Sequence, residues 1–555
     1  MPTHRLPLTP ALDPAEFERI DQFGRAHPGP AGLPALSDWL RAGFGIEWVL
    51  DPDIVKGFMT DSSNLPGRAD ALGRPRSERE CAILFRACQA AGVPFTLAAG
   101  RSNLTGSATP EGGAVISLAD MIQPPAAVDE AAQIVRAPVG LIVEDLRRQV
   151  LARTGGRLQF PVDPTSRADA SVGGAIACNA SGFTPGDAGT TRAWVESLEW
   201  LTPRGLRMTV PRGAYVSRDG VFEWREGGRT MVCPVPRYPR PAIKNAAGPF
   251  SAPSGEMDLV DLLVGSEGLF GAVTGCVLRL APRPAGYLDL FFSLPDEERA
   301  VDFLEFLRRT LPGGLGSLSA LEYFGAQCRR FMDHESRFFH GTDPVGIYIQ
   351  VPLAGGQALE DAAGEWLERI DASGCGADEN AILVLDNDRD RALFLEARHS
   401  MPAKAVEVVQ QRGTFTIMTD TVVPPDRFRE FLAFTHAAIG GAGLDYVAFG
   451  HLGDCHLHFT ILPEKDQIEA GVSVYGRLVA ESARLGGVYS GEHGTGKRKR
   501  RDFLSCYGPE AARQVRAAKA ALDPLLLMNR GNVFEAEPVP AGAGAARSAD
   551  TGLSA

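Results

Sequence analysis

The sequence predicts an α+β protein of two or more domains. Three observations carry that expectation. The chain has 555 residues, more than one hydrophobic core supports. Short apolar runs of strand type alternate with amphipathic helical stretches along most of its length. A proline pair, Pro282 and Pro284, separates a glycine-rich first half from a second half in which strands and helices resume.

Taken in order, residues 1–45 are rich in Pro and Ala with little sustained periodicity, and read as an N-terminal extension. Ser77–Pro94 is an amphipathic helix, with Ser77 as N-cap and Glu80 completing a capping box. "VPFTLAAG" is a short buried strand that runs into a Gly/Ser/Thr loop, and "GAVISL" is another strand. "VGLIVEDLRRQVLARTG" is a helix stopped at Gly155, and "VESLEWLTPRGLRMTV" a hairpin turning at Pro203–Gly205. Residues 211–260 are irregular. After Pro284, "ERAVDFLEFLRRTL" and "GQALEDAAGEWLERI" are helices between strands, and helical periodicity returns over 466–522. The stretch 536–555 is too poor in apolar residues to order itself. The division expected is 1–45, 46–286, 287–465, 466–535 and 536–555.

Composition narrows the function. Hydrophobic residues make up 44%, charged residues 22%, and the net charge is −12. An acidic balance argues against nucleic acid as partner. No apolar run reaches membrane-spanning length, and the amino terminus lacks the apolar core of a signal peptide. Nine cysteines with no CxxC give no disulfide framework and no iron–sulfur module. The expected location is a reducing cytoplasm, with attachment at the membrane periphery left open.

Three glycine-rich segments share one chemistry: "AAGRSNLTGSATPEGG" (Ala98–Gly113), "PVDPTSRADASVGGAIACNASG" (Pro161–Gly182) and "GSEGLFGAV" (Gly265–Val273). Small residues let backbone N–H groups turn toward an anion. None is GxGxxG opening a helix, and none is GxxxxGK[ST], so a Rossmann site and a P-loop are both unsupported. A diphosphate held by several separate loops fits better.

These segments resemble the FAD-binding domain of the vanillyl-alcohol oxidase and p-cresol methylhydroxylase (PCMH) superfamily. The branch with the strongest resemblance is the D-2-hydroxy-acid dehydrogenases, which include D-lactate dehydrogenases and the FAD subunit of glycolate oxidase. "GRSNLTG" stands for that branch's glycine run ending T-G-L-T-G, "PVDPTSRADASVGGAIACNASG…GTTRAWV" for its second motif, and "GSEGLFGAV" for G-S-E-G-T-L-G-I. The resemblance runs from about Ile46 to Phe534. It implies a PCMH-type FAD domain of two α+β subdomains, followed by an α+β cap (substrate) domain with a mainly antiparallel sheet. It also implies that Gly100, Arg101, Ser102, Asn103, Leu104, Thr105 and Gly106 cradle the diphosphate. Asp163, Ser171, Gly174, Asn179 and Gly182 would line the flavin and ribityl chain, with Thr190, Thr191, Glu267, Gly268, Gly271, Val273 and Asn529 nearby. Some relatives tether FAD through a histidine; none occurs between His27 and His334, so non-covalent FAD is expected.

"AFGHLGDCHLHF" places His451, His456 and His458 within eight residues of a chain that has ten histidines in all. His456 and His458 share a strand face, and a turn at Gly453–Asp454 folds His451 back toward them. "SGEHGTG" supplies Glu492 and His493 between glycines. Two imidazoles and a carboxylate suit a borderline divalent cation, Zn or Mn. The branch resembled above carries G-H-x-G-D-G-N-x-H and S-G-E-H-G. By that resemblance His451, His458 and Glu492 are the metal ligands and His493 the catalytic base, while Cys455 and His456 replace the branch's Gly and Asn. His456 then adds a ligand, rearranges the ligand set or contacts substrate. Arg398, in "EARHSMPAKAV", matches the arginine that grips the substrate carboxylate. The lysine that binds a distal carboxylate in relatives acting on 2-hydroxyglutarate has Met418 as its counterpart here, which favours a monocarboxylic substrate.

The chemistry these parts serve is oxidation of an alcohol beside a carboxylate. The cation acidifies the hydroxyl, His493 takes its proton and the C2 hydride goes to flavin N5. The expected function is an FAD-dependent, metal-assisted D-2-hydroxy-acid dehydrogenase. It would act on a small D-lactate-like acid and pass electrons to an acceptor the sequence does not name: an electron-transfer protein, a cytochrome or a quinone. A homodimer is left open. The rivals are a metal-free flavin oxidase or hydroxylase of phenolic alcohols, a metal-dependent hydrolase and a non-catalytic FAD subunit. "KRKRR" (Lys497–Arg501) reads as a solvated helix face, with a docking patch for an acidic electron acceptor as the alternative.

Overall fold

Strands covered on both faces read as continuous apolar runs, and strands covered on one face alternate; both kinds occur. The computed structural model describes residues 2–342 and 344–536. In the first half, a four-stranded sheet has the order Trp48–Val49, Ala71–Gly73, Ala114–Ser117, Phe95–Ala98. Ala114–Ser117 is buried at every residue and pairs in parallel with both Ala71–Gly73 and Phe95–Ala98. A six-stranded sheet is antiparallel: Thr9–Pro10, Leu206–Pro211, Val195–Leu201, Ala272–Arg279, Ile134–Ala137, Ala127–Asp129. Its hairpin, Val195–Leu201 with Leu206–Pro211, turns at Gly205, where φ is +82°.

The helix Glu78–Ala91 starts where Ser77 Oγ accepts the Glu80 N–H, and stops at Gly92 in the left-handed region. The stretch 1–45 differs from expectation. It forms the helices Pro14–Ala26 and Leu33–Phe44, each with proline in its first turn, a position that needs no N–H partner. The first packs on Glu78–Ala91 so closely that a Cβ on Gly24 would stand 2.6 Å from Ala90 Cβ. Residues 211–260 are also more ordered than expected: Val221–Glu226 and Arg229–Pro234 form a hairpin.

In the second half, a seven-stranded antiparallel sheet has the order Leu383–Val384, Tyr287–Leu294, Val345–Pro352, Ala320–Phe324, Tyr446–His451, His456–Ile461, Ile417–Met418. Helices Glu297–Thr310, Leu359–Ala372 and Phe428–Gly441 bury their apolar stripes in its main core, with Phe303, Trp366 and Phe431 among the contacts. Helix Asp388–Arg412 joins a separate phenylalanine-rich cluster around Phe291, Phe324 and Phe394. Helices Ile468–Arg484 and Arg500–Leu522 follow. The chain then returns to the first half, where Met528 bridges Phe95. The proposed tail from 537 onward lies outside the described residues. All nine cysteines are free thiols. Among the described residues no helix is long and apolar enough to cross a membrane.

Candidate active site

The three glycine-rich segments meet at one cavity of about 670 Å³. Gly100, Arg101, Ser102, Asn103 and Leu104 line it from the first segment, and Asp163, Ser171, Gly174 and Gly182 from the second. Glu267, Gly268, Gly271 and Val273 line it from the third, and Asn529 from the returning chain. The loops pack too closely for side chains: a Cβ on Gly100 would stand 2.1 Å from the main-chain Asp169 O, and one on Gly268 2.5 Å from the Asn529 side-chain Nδ2. A trough walled by glycine, serine and main chain suits an elongated dinucleotide with an anionic middle, so the residues present fit FAD.

Thr105, Gly106, Asn179, Thr190 and Thr191 do not line the cavity; they hold its wall from behind. Thr105 O accepts the N–H groups of Lys497 and Arg498, and Gly106 turns with φ +80°. Asn179 ends the helix Val172–Cys178 in the left-handed region, its Oδ1 accepting the Arg192 N–H. The Thr190 and Thr191 hydroxyls donate to Asp187 O and Ala180 O.

The histidines reach the same cavity through the hairpin Tyr446–His451 and His456–Ile461. Its register sets His451 opposite His456 and Phe449 opposite His458, so all three imidazoles share one face. The turn is Leu452–Asp454 followed by Cys455 at φ +54°, which is why a glycine would be at ease there. His451 Nε2 lies 3.4 Å from Glu492 Oε2 and His458 Nε2 3.2 Å from Glu492 Oε1. The opposite nitrogens are anchored: His451 Nδ1 faces Glu322 Oε1 at 2.7 Å, and His458 Nδ1 faces Thr419 O at 3.2 Å. A ring anchored at Nδ1 presents its Nε2 lone pair, the arrangement of metal-ligating histidine. Donor atoms of His451, His456, His458 and Glu492 lie within 4.8 Å of one another. This donor set fits a divalent cation.

Three further residues, Glu322, Asp420 and Lys244, hold the site, and the sequence alone does not mark them as functional. Glu322 is a lone acid in the apolar strand Ala320–Phe324; it bridges His451 Nδ1 and Arg398 Nη2, each at 2.7 Å. Burial pushes the Glu322 carboxyl up, but His451 and Arg398 outweigh it and hold it well below the usual range. Asp420, after the short strand Ile417–Met418, accepts hydrogen bonds from Ser490 Oγ (2.6 Å), Lys499 Nζ (2.7 Å) and the N–H groups of Glu492 and His493. His493 Nδ1 stands 3.3 Å from Asp420 Oδ2. Burial lowers the His493 imidazole to about 4, with Asp420 pulling the other way. Lys244, buried, sends Nζ to Glu492 Oε2 at 3.0 Å and Asp454 Oδ2 at 3.5 Å. Arg398 lies over the Phe183 ring, 4.5 Å from its centroid, and its buried Nε has no partner. The "KRKRR" stretch is only partly solvated: Arg498 and Arg501 are exposed, but Lys497 and Lys499 are buried, and Lys497 Nζ meets Asn532 Oδ1 at 2.7 Å.

The glycine loops and the imidazole cluster thus face one another across one space. Two family descriptions match in the same order along the chain: an FAD binding domain over residues 69–210, and an FAD linked oxidase C-terminal domain over residues 317–533. The chain belongs to the FAD-linked oxidoreductases. This oxidoreductase is 26% identical over 499 residues to a D-lactate dehydrogenase of Anaerostipes hadrus, covering 87% of this chain and 93% of that one. It is 25% identical over 539 residues to the mitochondrial D-2-hydroxyglutarate dehydrogenase of Rattus norvegicus, covering 95% of this chain and 86% of the relative. Among solved structures, p-cresol methylhydroxylase with substrate bound superposes with a TM-score of 0.64 at 14% identity, over 95% of this chain and 99% of that one. At that identity the likeness establishes the PCMH-type fold alone.

Proposed function

We propose that this oxidoreductase is an FAD-dependent, metal-assisted dehydrogenase of D-2-hydroxy acids with one carboxylate, converting them to 2-oxo acids with non-covalently bound FAD. The observation that carries the reading is the meeting of Arg398, His493 and the His451–His458–Glu492 set on the cavity that the glycine loops line. The similarity to a D-lactate and a D-2-hydroxyglutarate dehydrogenase supports the reaction class. When bound, FAD supplies a two-electron acceptor and the divalent cation supplies Lewis acidity.

The chain's own residues supply the rest. Arg398, on the cavity wall, receives the substrate carboxylate, and Glu322 holds its Nη2 and so fixes the plane of the guanidinium. His451, His458 and Glu492 offer two neutral nitrogens and one carboxylate to the cation that orients the 2-hydroxyl. His493 is the base. Asp420 faces the Nδ1–H, which keeps that proton on Nδ1 and leaves the Nε2 lone pair for the hydroxyl proton, and the Asp420 charge stabilises the imidazolium that results. Met418, not a cation, stands on the wall by the helix that bears Arg398, and burial together with Arg398 pulls the His399 pKa down. Among the described residues, the only other Arg or Lys lining the cavity is Arg101, in the first glycine segment, so a second substrate carboxylate finds no lysine at Met418 to meet it.

Of the rivals, the phenolic-alcohol enzyme needs tyrosine at the reaction centre, and among the described residues no tyrosine lines the cavity. The deciding experiment is anaerobic bleaching of the flavin by a panel of D- and L-2-hydroxy acids and phenolic alcohols. Bleaching by D-2-hydroxy monocarboxylates, ahead of D-2-hydroxyglutarate and of all L-isomers, is expected. Bleaching by a phenolic alcohol alone would sink the proposal.

A further inference from the structure

His456 is the one imidazole of the cluster left outside the proposed ligand set. Its side chain has no solvent exposure. Strand alternation puts it on the face of His458, with ring centroids 4.5 Å apart, and the register puts it opposite His451, at 5.5 Å. Its Nε2 meets Asp420 Oδ1 at 2.9 Å. Asp420 accepts from every other partner it has, so the proton of this bond comes from the imidazole. The ring therefore carries its hydrogen on Nε2 and its lone pair on Nδ1. That Nδ1 is buried and has no hydrogen-bond partner. A bare buried acceptor costs about 1–3 kcal/mol. A ring anchored on a carboxylate through one nitrogen and bare at the other is built as a metal ligand.

We propose that His456 is a third imidazole ligand, so that the cation of this site is held by His451, His456, His458 and Glu492. The proposal rests on the metal-assisted reading above and adds a coordination number to it. Four protein donors already fill a tetrahedral shell. A chelating hydroxy acid then requires an ion that expands to five or six ligands, and the empty-handed site grips its ion more tightly than two imidazoles and a carboxylate would.

The test uses the purified flavoprotein, stripped with a chelator and reloaded with Zn²⁺. X-ray absorption at the zinc edge counts imidazole ligands without any substitution: three are expected, and two would overturn the proposal while leaving the metal-assisted reading intact. Failure to bind one Zn²⁺ per chain would overturn both. In parallel, His456→Asn should weaken Zn²⁺ binding by at least ~10-fold in equilibrium dialysis and shift the visible spectrum of the Co²⁺-loaded protein. An unchanged affinity and spectrum, in a variant that keeps its flavin and its circular dichroism, would count against a ligand role.

Discussion

Glu322 serves two cations at once, and that makes Arg398 a residue whose shape matters as much as its charge. A guanidinium can donate to Glu322 through one nitrogen and to substrate through another; an ammonium cannot span both. Arg398→Lys is therefore expected to lower kcat/KM by roughly 10–150-fold, the worth of one charge-assisted hydrogen bond of ~1.5–3 kcal/mol. Steady-state kinetics should show the loss mainly in KM. The same carboxylate sets a pH dependence. Burial lowers the His451 pKa, but Glu322 outweighs it and the value rises to about 9 in the metal-free protein. A raised imidazole pKa stabilises the fold fully below the unfolded value of ~6.5, and the stabilisation is lost as pH climbs through the folded one. Metal-stripped protein should accordingly lose up to ~3 kcal/mol in urea titrations between pH 6.5 and pH 9. Lys497, lowered by burial to about 8, moves the balance the other way but does so equally in Glu322→Gln, so the difference between the two proteins isolates His451. Equal slopes would show that Glu322 does not hold the His451 proton. At this scale the sequence was half legible. The histidines and Glu492 stood out by density. Glu322 and Asp420 did not, because one acid in or just after an apolar strand carries no signal of its own until its partner, 129 or 36 positions away, is seen. The lysines carried an unread signal: of the seven among 56 basic residues, Lys244, Lys497, Lys499 and Lys519 are buried.

Between elements, the decisive contacts are made to the main chain of the glycine segments and of the turn that carries Glu492 and His493. Glu267 Oε1 and Oε2 accept the N–H groups of Thr495 and Gly496 at 2.6 Å each, tying the third glycine segment to the turn that presents Glu492 and His493. Gly100 abuts Asp169 O, tying the first segment to the second. Such approaches leave no room for a methyl group. Gly100→Ala should cost ~1–3 kcal/mol, the usual penalty of overpacking, and yield protein with little bound FAD. The ratio of flavin to protein absorbance after gel filtration reads the effect; a fully yellow G100A protein would show that these loops do not shape the cofactor site. The glycine segments were legible because their spacing and order carry information beyond any single turn. The helices Pro14–Ala26 and Leu33–Phe44 were not, since Pro and Ala read as extension although proline at a helix start is harmless. "KRKRR" misled for a related reason: a charge run looks solvated unless the acceptors that bury it, Asp420 and Asn532, are known.

For the whole molecule, the last described residues add a second tie between the halves. After helix Arg500–Leu522 the chain runs back along the four-stranded sheet. Asp523 accepts from Gln89 Nε2 at 2.9 Å. Asn529 accepts the Leu97 N–H at 2.9 Å and donates to Glu267 O at 2.9 Å. Asn532 donates to Ser107 O at 2.9 Å. Leu527 and Met528 are fully buried in the core beneath that sheet. Sequence periodicity could place helices over 466–522, but not this return, because its contacts lie some 430 positions away and leave no local pattern. Two truncations follow from it. Ending the chain at Ala536 removes none of the contacts described, and should leave flavin content and Tm unchanged. Ending it at Leu522 strips Asn529 and Asn532 from Glu267, uncovers Met528's place in the core and leaves several buried donors and acceptors bare, each worth ~1–3 kcal/mol. Since a domain's whole stability is about 5–15 kcal/mol, the shorter protein should be recovered insoluble or free of FAD. If it instead purified yellow, with a melting temperature near that of the full chain, the returning segment would be dispensable and the first half would hold its cofactor unaided.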